Sequence, residues 1–199
     1  MMAEDISALV DQFVQKVNAR KHELLPPDEV PQFLRRPYPG DENLDLDESD
    51  WSDWQILAAD HTARIRDLET KIGRPFPNPF RDLITRYSFP AFDCGPLTFF
   101  SNTGHDLFHE LSVRLFHDPG LSPLLLEAGY IQIGNPFFPN YDPVCLAPSE
   151  RGQEAAVVQL DHEMILQHGV IQTISILAPS FVELLNNLVR GDAMPDVVG

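Results

Sequence analysis

Val144-Cys145-Leu146-Ala147-Pro148-Ser149-Glu150-Arg151-Gly152-Gln153-Glu154-Ala155-Ala156-Val157-Val158-Gln159-Leu160 is the stretch that decides the fold class. Val144 to Leu146 and Ala155 to Leu160 read as two strands. The seven residues between them, with Gly152 among them, suit a hairpin-like loop. A hairpin leaves no room for a crossover helix, so these strands cannot be part of a regular βαβ alternation. Working outward, Tyr130-Ile131-Gln132-Ile133 alternates and reads as another strand, and Leu97-Thr98-Phe99-Phe100 is a short β-type run bounded by turn residues. Val170 to Ile176 reads either as a strand or as the approach to a last helix, Pro179 to Arg190, which Gly191 closes.

Helical patterns flank this β-rich middle. Ile6, Leu9, Val10, Phe13, Val14 and Val17 recur at helical spacing and predict an amphipathic helix over 3–22. Five prolines between Pro26 and Pro39 make the next stretch irregular, and seven carboxylates without a cation follow from Asp41 to Asp53. Ser52 is placed to cap a helix over 53–72, with Leu57, Ile65, Leu68 and Ile72 buried and Gly73 at its C-terminal end. Asn78-Pro79 opens a helix to about Tyr87, and Ser122-Pro123 opens a shorter one over 124–128. Residues 105–117 lean to helix. The pattern is α+β, a central mostly antiparallel sheet with N-terminal and C-terminal helices packed around it. The expected organisation is an N-terminal helical extension with a Pro-rich and acidic linker over 1–50, a folded domain over 51–191, and a short tail over 192–199.

Charge narrows the range of partners. The 199 residues carry 14 Lys+Arg against 30 Asp+Glu, a net of −16. Residues 1–86 hold 11 basic and 17 acidic side chains; residues 87–199 hold only Arg114, Arg151 and Arg190 against 13 acidic ones. Nucleic acid and anionic membrane surfaces need clustered Lys/Arg and are excluded as direct partners. A basic protein is the natural counterpart. The acidic N-terminus has no apolar run behind it, no window approaches a membrane span, and two cysteines (Cys94, Cys145) make no disulfide framework. A cytoplasmic protein with free thiols is the expectation.

Four constellations hold side chains of chemical use. His105 and His109 stand at i and i+4, a metal-ligand spacing if one helix holds both, with His117 beyond. The residue beside the first His is Asp106 where zinc proteases need Glu, and no second ligand motif follows, so histidines on a partly exposed helix are the expectation. Asp161-His162-Glu163 has the side chains of acid–base work, but on an extended chain neighbours point to opposite faces, so a solvated strand end is expected. Asp41, Asn43 and Asp45 match a calcium loop until Leu46 and Ser52 replace its Gly and Glu. Asn135-Pro136-Phe137-Phe138-Pro139-Asn140-Tyr141 brings three aromatics into one loop; they either fold back onto the core, the expected outcome, or stand out as anchors for a protein partner. No phosphate-binding glycine loop or CxxC pair occurs. No catalytic residue, metal or cofactor is assigned.

The order of motifs resembles the SUKH superfamily, which includes fungal cell-wall-assembly regulators and many bacterial toxin-immunity proteins. Ile65-x-x-Leu68-Glu69-x-x-Ile72-Gly73-x-x-Phe76-Pro77-x-x-Phe80-Arg81-x-Leu83-Ile84-x-x-Tyr87 is similar to its opening signature. Gly95 to Phe100, Gly129-Tyr130-Ile131-Gln132-Ile133-Gly134, Tyr141-Asp142-Pro143-Val144-Cys145-Leu146, Val157 to Glu163 and Ile176 to Leu185 follow in the family's order. Ala147 departs from it, since members often carry Asp after Cys-Leu. The resemblance covers about residues 60–190. It implies a SUKH-like fold, no catalysis, and either an immunity protein that binds and neutralises a cognate protein toxin or an intracellular adaptor scaffold. With the charge, it points to Asp142, Glu150, Glu154, Asp161 and Glu163, with Phe137 and Phe138, as candidate partner contacts and to a basic toxin, possibly a nuclease, as the partner.

Overall fold

The computed structural model describes residues 3–19, 29–36, 53–104, 106–137, 141–149 and 154–191. In chain order the elements are α1 (Ala3–Asn18), β1 (Arg35–Arg36), β2 (Asp53–Trp54), β3 (Leu57–Ala58), α2 (Thr62–Ile72), α3 (Asn78–Arg86), β4 (Tyr87–Ser88), β5 (Phe92–Cys94), β6 (Leu97–Phe99), α4 (His109–Phe116), α5 (Ser122–Glu127), β7 (Ile131–Pro136), β8 (Val144–Leu146), β9 (Val157–Leu160), α6 (His162–His168), β10 (Thr173–Ala178) and α7 (Phe181–Arg190). The main sheet is an antiparallel meander in the order β10-β9-β8-β7-β6-β5. Two small antiparallel pairs, β1 with β2 and β3 with β4, complete an α+β fold.

Alternation along the strands splits the apolar side chains between two faces. Val144 and Leu146 enter the larger cluster, with Ile131, Ile133 and Val157 from neighbouring strands. α1, α3 and α7 cover it through Phe13, Phe80 and Phe181: Phe13 meets Phe92 and Phe99, and Phe181 meets Phe99 and Phe80, edge-on or tilted. Cys145 and Val158 enter a smaller cluster on the opposite face, closed by Leu121 and Leu125 of the α5 region and Ile165 of α6. Cys94 belongs to the first cluster and Cys145 to the second, and both thiols are buried and unbridged. Burial pushes the Cys145 thiol far up.

The helix expected as part of an extension is built into this core. Leu9, Val10, Phe13, Val14 and Val17 are all buried in the same cluster as the sheet. Polar contacts lock it in register. Arg86 joins Asp11 (2.7 Å) and Asp82 (2.8 Å), and the Tyr87 hydroxyl donates to Asp11 (2.6 Å). Burial, then this bond to a carboxylate, lifts the phenol to about 12. Asn18 accepts from the backbone N–H of Ile56 (2.7 Å) and donates to its carbonyl (2.9 Å), as a strand neighbour would.

Several expected boundaries move. The expected helix over 53–72 begins only at Thr62. Before it, β2 pairs with β1 and β3 with β4, both distant in sequence, and Arg36 bonds Asp53 (3.0 Å). Tertiary partners override the helical spacing of Leu57 there; Ser52, the expected cap, lies outside the described residues. Gly73 does end α2, at φ +79, where a Cβ would be strained. Asn78 and Ser122 are first helical residues rather than caps, and the Ser122 hydroxyl instead donates to the Arg114 carbonyl (2.8 Å). Val170 to Ile176 resolves as part of the approach to β10, Thr173–Ala178, with α7 capped by Ser180, which accepts from the Glu183 N–H (3.0 Å).

The first motif of the resemblance has a physical role in the fold. Glu69 accepts from the Phe76 N–H (3.0 Å) and from Arg81 (2.7 and 3.3 Å), so one carboxylate ties α2, the Phe-Pro step and α3 together. Gly134 has a similar necessity, since a Cβ there would meet the Thr98 carbonyl oxygen at 2.3 Å.

Candidate functional site

The connection from β7 to β8 and the start of α6 lie at one end of the sheet, because β7 runs toward the end from which antiparallel β8 departs and to which β9 returns. Phe137, Tyr141, Asp142, Asp161, His162 and Glu163 all belong to this end. Glu154 stands before the opposite end of β9. At roughly 3.3 Å per residue, the chain from Glu154 to Asp161 spans about 20 Å. The candidate acidic contacts therefore divide into two groups. Glu154, exposed, lies on the β8–β9 hairpin side, and Asp142, Asp161 and Glu163 lie on the α6 side. Glu150 and Phe138 lie outside the described residues.

Asp142 sits at the centre of the α6 side and is only 8% exposed. Its Oδ1 accepts from the His162 backbone N–H (3.1 Å) and meets the ring Nδ1 of His162 (2.7 Å); its Oδ2 accepts from Gln159 Nε2 (3.1 Å). Asp161 accepts from the Met164 N–H (3.0 Å) and so caps α6. The expectation of a solvated strand end is corrected here. The chain turns into a helix at His162, and that turn carries Asp161 and His162 to Asp142, whereas an extended chain would have splayed them apart. Glu163, in the first turn, remains exposed.

One ligand-type atom each from Asp142, Asp161 and His162 lies within 4.8 Å of the others. Each residue already serves the fold through the bonds above. Asp142 oriented on His162 Nδ1 also has the form of the orienting half of a catalytic triad. Among the described residues no serine or cysteine bonds the other ring nitrogen; the ring instead meets Tyr141 edge-on, centroids 5.8 Å apart. The arrangement is a hydrogen-bonded corner that sets the positions of the outward side chains around it.

Those outward side chains are aromatic and acidic. Tyr141 is 79% exposed and Phe137 51% exposed, so the expected folding-back of the loop onto the core does not hold for these two. Among the described residues no Lys or Arg comes within ion-pairing distance of Glu154, Asp161 or Glu163. The first half of the chain differs: Arg36, Arg64, Arg81 and Arg86 each hold a carboxylate. Tyr141 and His162 belong to this site although neither is among the candidate partner contacts read from the sequence. The available signal was the Tyr-Asp before Pro143, matched against Asp-His after β9.

The helix expected over 105–117 is shorter among the described residues. α4 begins at His109 behind Phe108, which holds the left-handed φ of +62, and His105 lies outside the described residues. His109 is exposed beside Asp106 (3.4 Å), and His117 is at the far end of α4. The Asp41 to Asp50 segment also lies outside the described residues. No described helix is long and apolar enough to cross a membrane.

No family model matches the chain, and neither a curated protein nor a solved structure matches it.

Proposed function

We propose that this chain is a non-enzymatic protein-binding domain of the SUKH type, an immunity protein that works in the cytoplasm by binding and neutralising a basic protein toxin. The observation that carries the reading is the end of the sheet where Tyr141 and Phe137 stand exposed beside Asp161 and Glu163, with no cation nearby among the described residues. Exposed aromatics supply anchoring area, and carboxylates not paired with a Lys or Arg attract a cationic surface. A nuclease toxin is a suitable partner, because a surface made for polyanions is cationic. The adaptor alternative rests on the N-terminal helix together with the Pro-rich and acidic linker; Phe13 and Val17 bury α1 in the core, and residues 37–52 of the linker region lie outside the described residues.

The test is the association rate of the full chain with a basic toxin encoded beside it, measured by stopped flow over a salt series. Association should slow steeply with added salt. Tyr141→Ala should weaken binding by about tenfold or more, equivalent to about 1.4 kcal/mol. Glu163→Lys should slow association while leaving the melting temperature near its original value, since Glu163 is exposed. Salt-insensitive binding, or full affinity in both variants, would remove this end of the sheet as the docking site.

A further inference from the structure

The two edges of the main sheet are finished differently. β5 has three residues, and its Asp93 carboxylate accepts from the Thr98 hydroxyl of β6. A short strand with a charge is a usual way to keep an edge from pairing with another chain. β10 closes the other side, has six residues, and carries neither charge nor proline. No other described strand pairs with it beyond β9. Ile174 is 44% exposed and Ile176 63% exposed, and Leu166 and Val170, on the way into the strand, are exposed as well. Two register shifts against β9 fall at Ile174 and Leu177 and twist the strand, so regular pairing is confined to its middle, Ser175 and Ile176.

The neighbourhood is unusual for a chain of net charge −16. Residues 164–182 contain no Asp, Glu, Lys or Arg, and His168 is their one titratable side chain. This strip selects its occupant by charge. A basic partner gains nothing from a neutral strip and is drawn to the carboxylates elsewhere. A second copy carries the same −16 and can come close only where neither chain presents a charge. This strip is such a place. We infer that β10 pairs antiparallel with β10 of a second copy of this chain, joining two six-stranded sheets across the edge through main-chain hydrogen bonds and the Ile174 and Ile176 side chains. This does not rest on the toxin-binding reading and uses a different margin of the fold.

The full chain is followed by light scattering and sedimentation over the micromolar range at low and high sodium chloride. The mass should rise with concentration from 22.5 kDa toward twice that value. Added salt should tighten the dimer, because it screens the repulsion between two chains of like charge and weakens nothing in a neutral contact. The double variant Ile174→Lys, Ile176→Lys places like charges across the dyad on side chains already exposed. It should raise the dimer dissociation constant by about a hundredfold with an unchanged circular dichroism spectrum. In the unmodified chain, amide hydrogen exchange over 175–176 should slow as concentration rises. A monomer throughout, a dimer that survives the double variant, a dimer that loosens with salt, or concentration-independent exchange would each overturn the inference.

Discussion

The α6 end of the sheet and the β10 edge present opposite surfaces although α6 leads directly into β10. At the end, Asp142 draws His162 and Gln159 inward, and Tyr141 and Glu163 are left standing out. At the edge, Ile174 and Ile176 stand out from a strip without any formal charge. The difference teaches that a net charge does not describe a surface. Carboxylates without a Lys or Arg beside them stand at the first surface, and no formal charge occurs in residues 164–182 at the second. On the two proposals, the surfaces should answer salt with opposite signs, association at the first weakening and at the second strengthening.

The comparison breaks if the two regions are one structural unit, and Asp142→Ala tests this with the largest expected effect. The substitution strands the His162 N–H, the His162 ring nitrogen and the Gln159 amide at a buried position. It should cost about 3 kcal/mol in urea unfolding. Toxin binding should fall with it, while the dimer dissociation constant stays within about threefold, since distant sites usually act independently. A collapse of both functions would show that the corner supports the edge as well.

A finer cut compares the caps on either side of β10. Asp161→Ala removes the cap of α6 and Ser180→Ala that of α7, each worth about 1 kcal/mol by denaturant titration. Only the first should also impair toxin binding, because α7 packs on the core face away from Tyr141. The smallest effect is a control outside both regions. His61 is buried, its ring bonded to the Ser88 hydroxyl (2.9 Å), and burial lowers its pKa from 6.5. The unfolded chain therefore binds the proton more readily than the folded one. The stability from a neutral His61 is present above pH 6.5 and is lost as pH falls through the lowered folded-state value. Unfolding midpoints should decline on acidification over that window, and His61→Gln should flatten the decline without changing either association.

Legibility followed length and locality. The β8–β9 hairpin, the apolar stripe of α1 and the glycine ends of α2 and α7 were readable, because each depends on spacing within one segment. α6 was not. Its seven residues are too few to show helical spacing, and the β-type run ending at Leu160 made Asp161-His162-Glu163 look extended. The two short pairs, β1 with β2 and β3 with β4, were hidden because their strands have only two residues each and find their partners far along the chain. Of the candidate contacts, the residue types and the excess of carboxylates were visible in the sequence. That Asp142 faces inward, and that Glu154 and Glu163 stand on opposite sides of the hairpin, was not.

The sequence by itself determined the α+β class, the meander's central strands and the acidic balance, since patterning and composition act through local spacing and summed charge. Tertiary structure alone decided that α1 belongs to the core, that Asp161 and His162 converge on Asp142, and that among the described strands the β10 edge is left open. Burial, convergence and the absence of a neighbour are properties of the packed chain, settled only when segments distant in sequence compete for the same faces of one sheet.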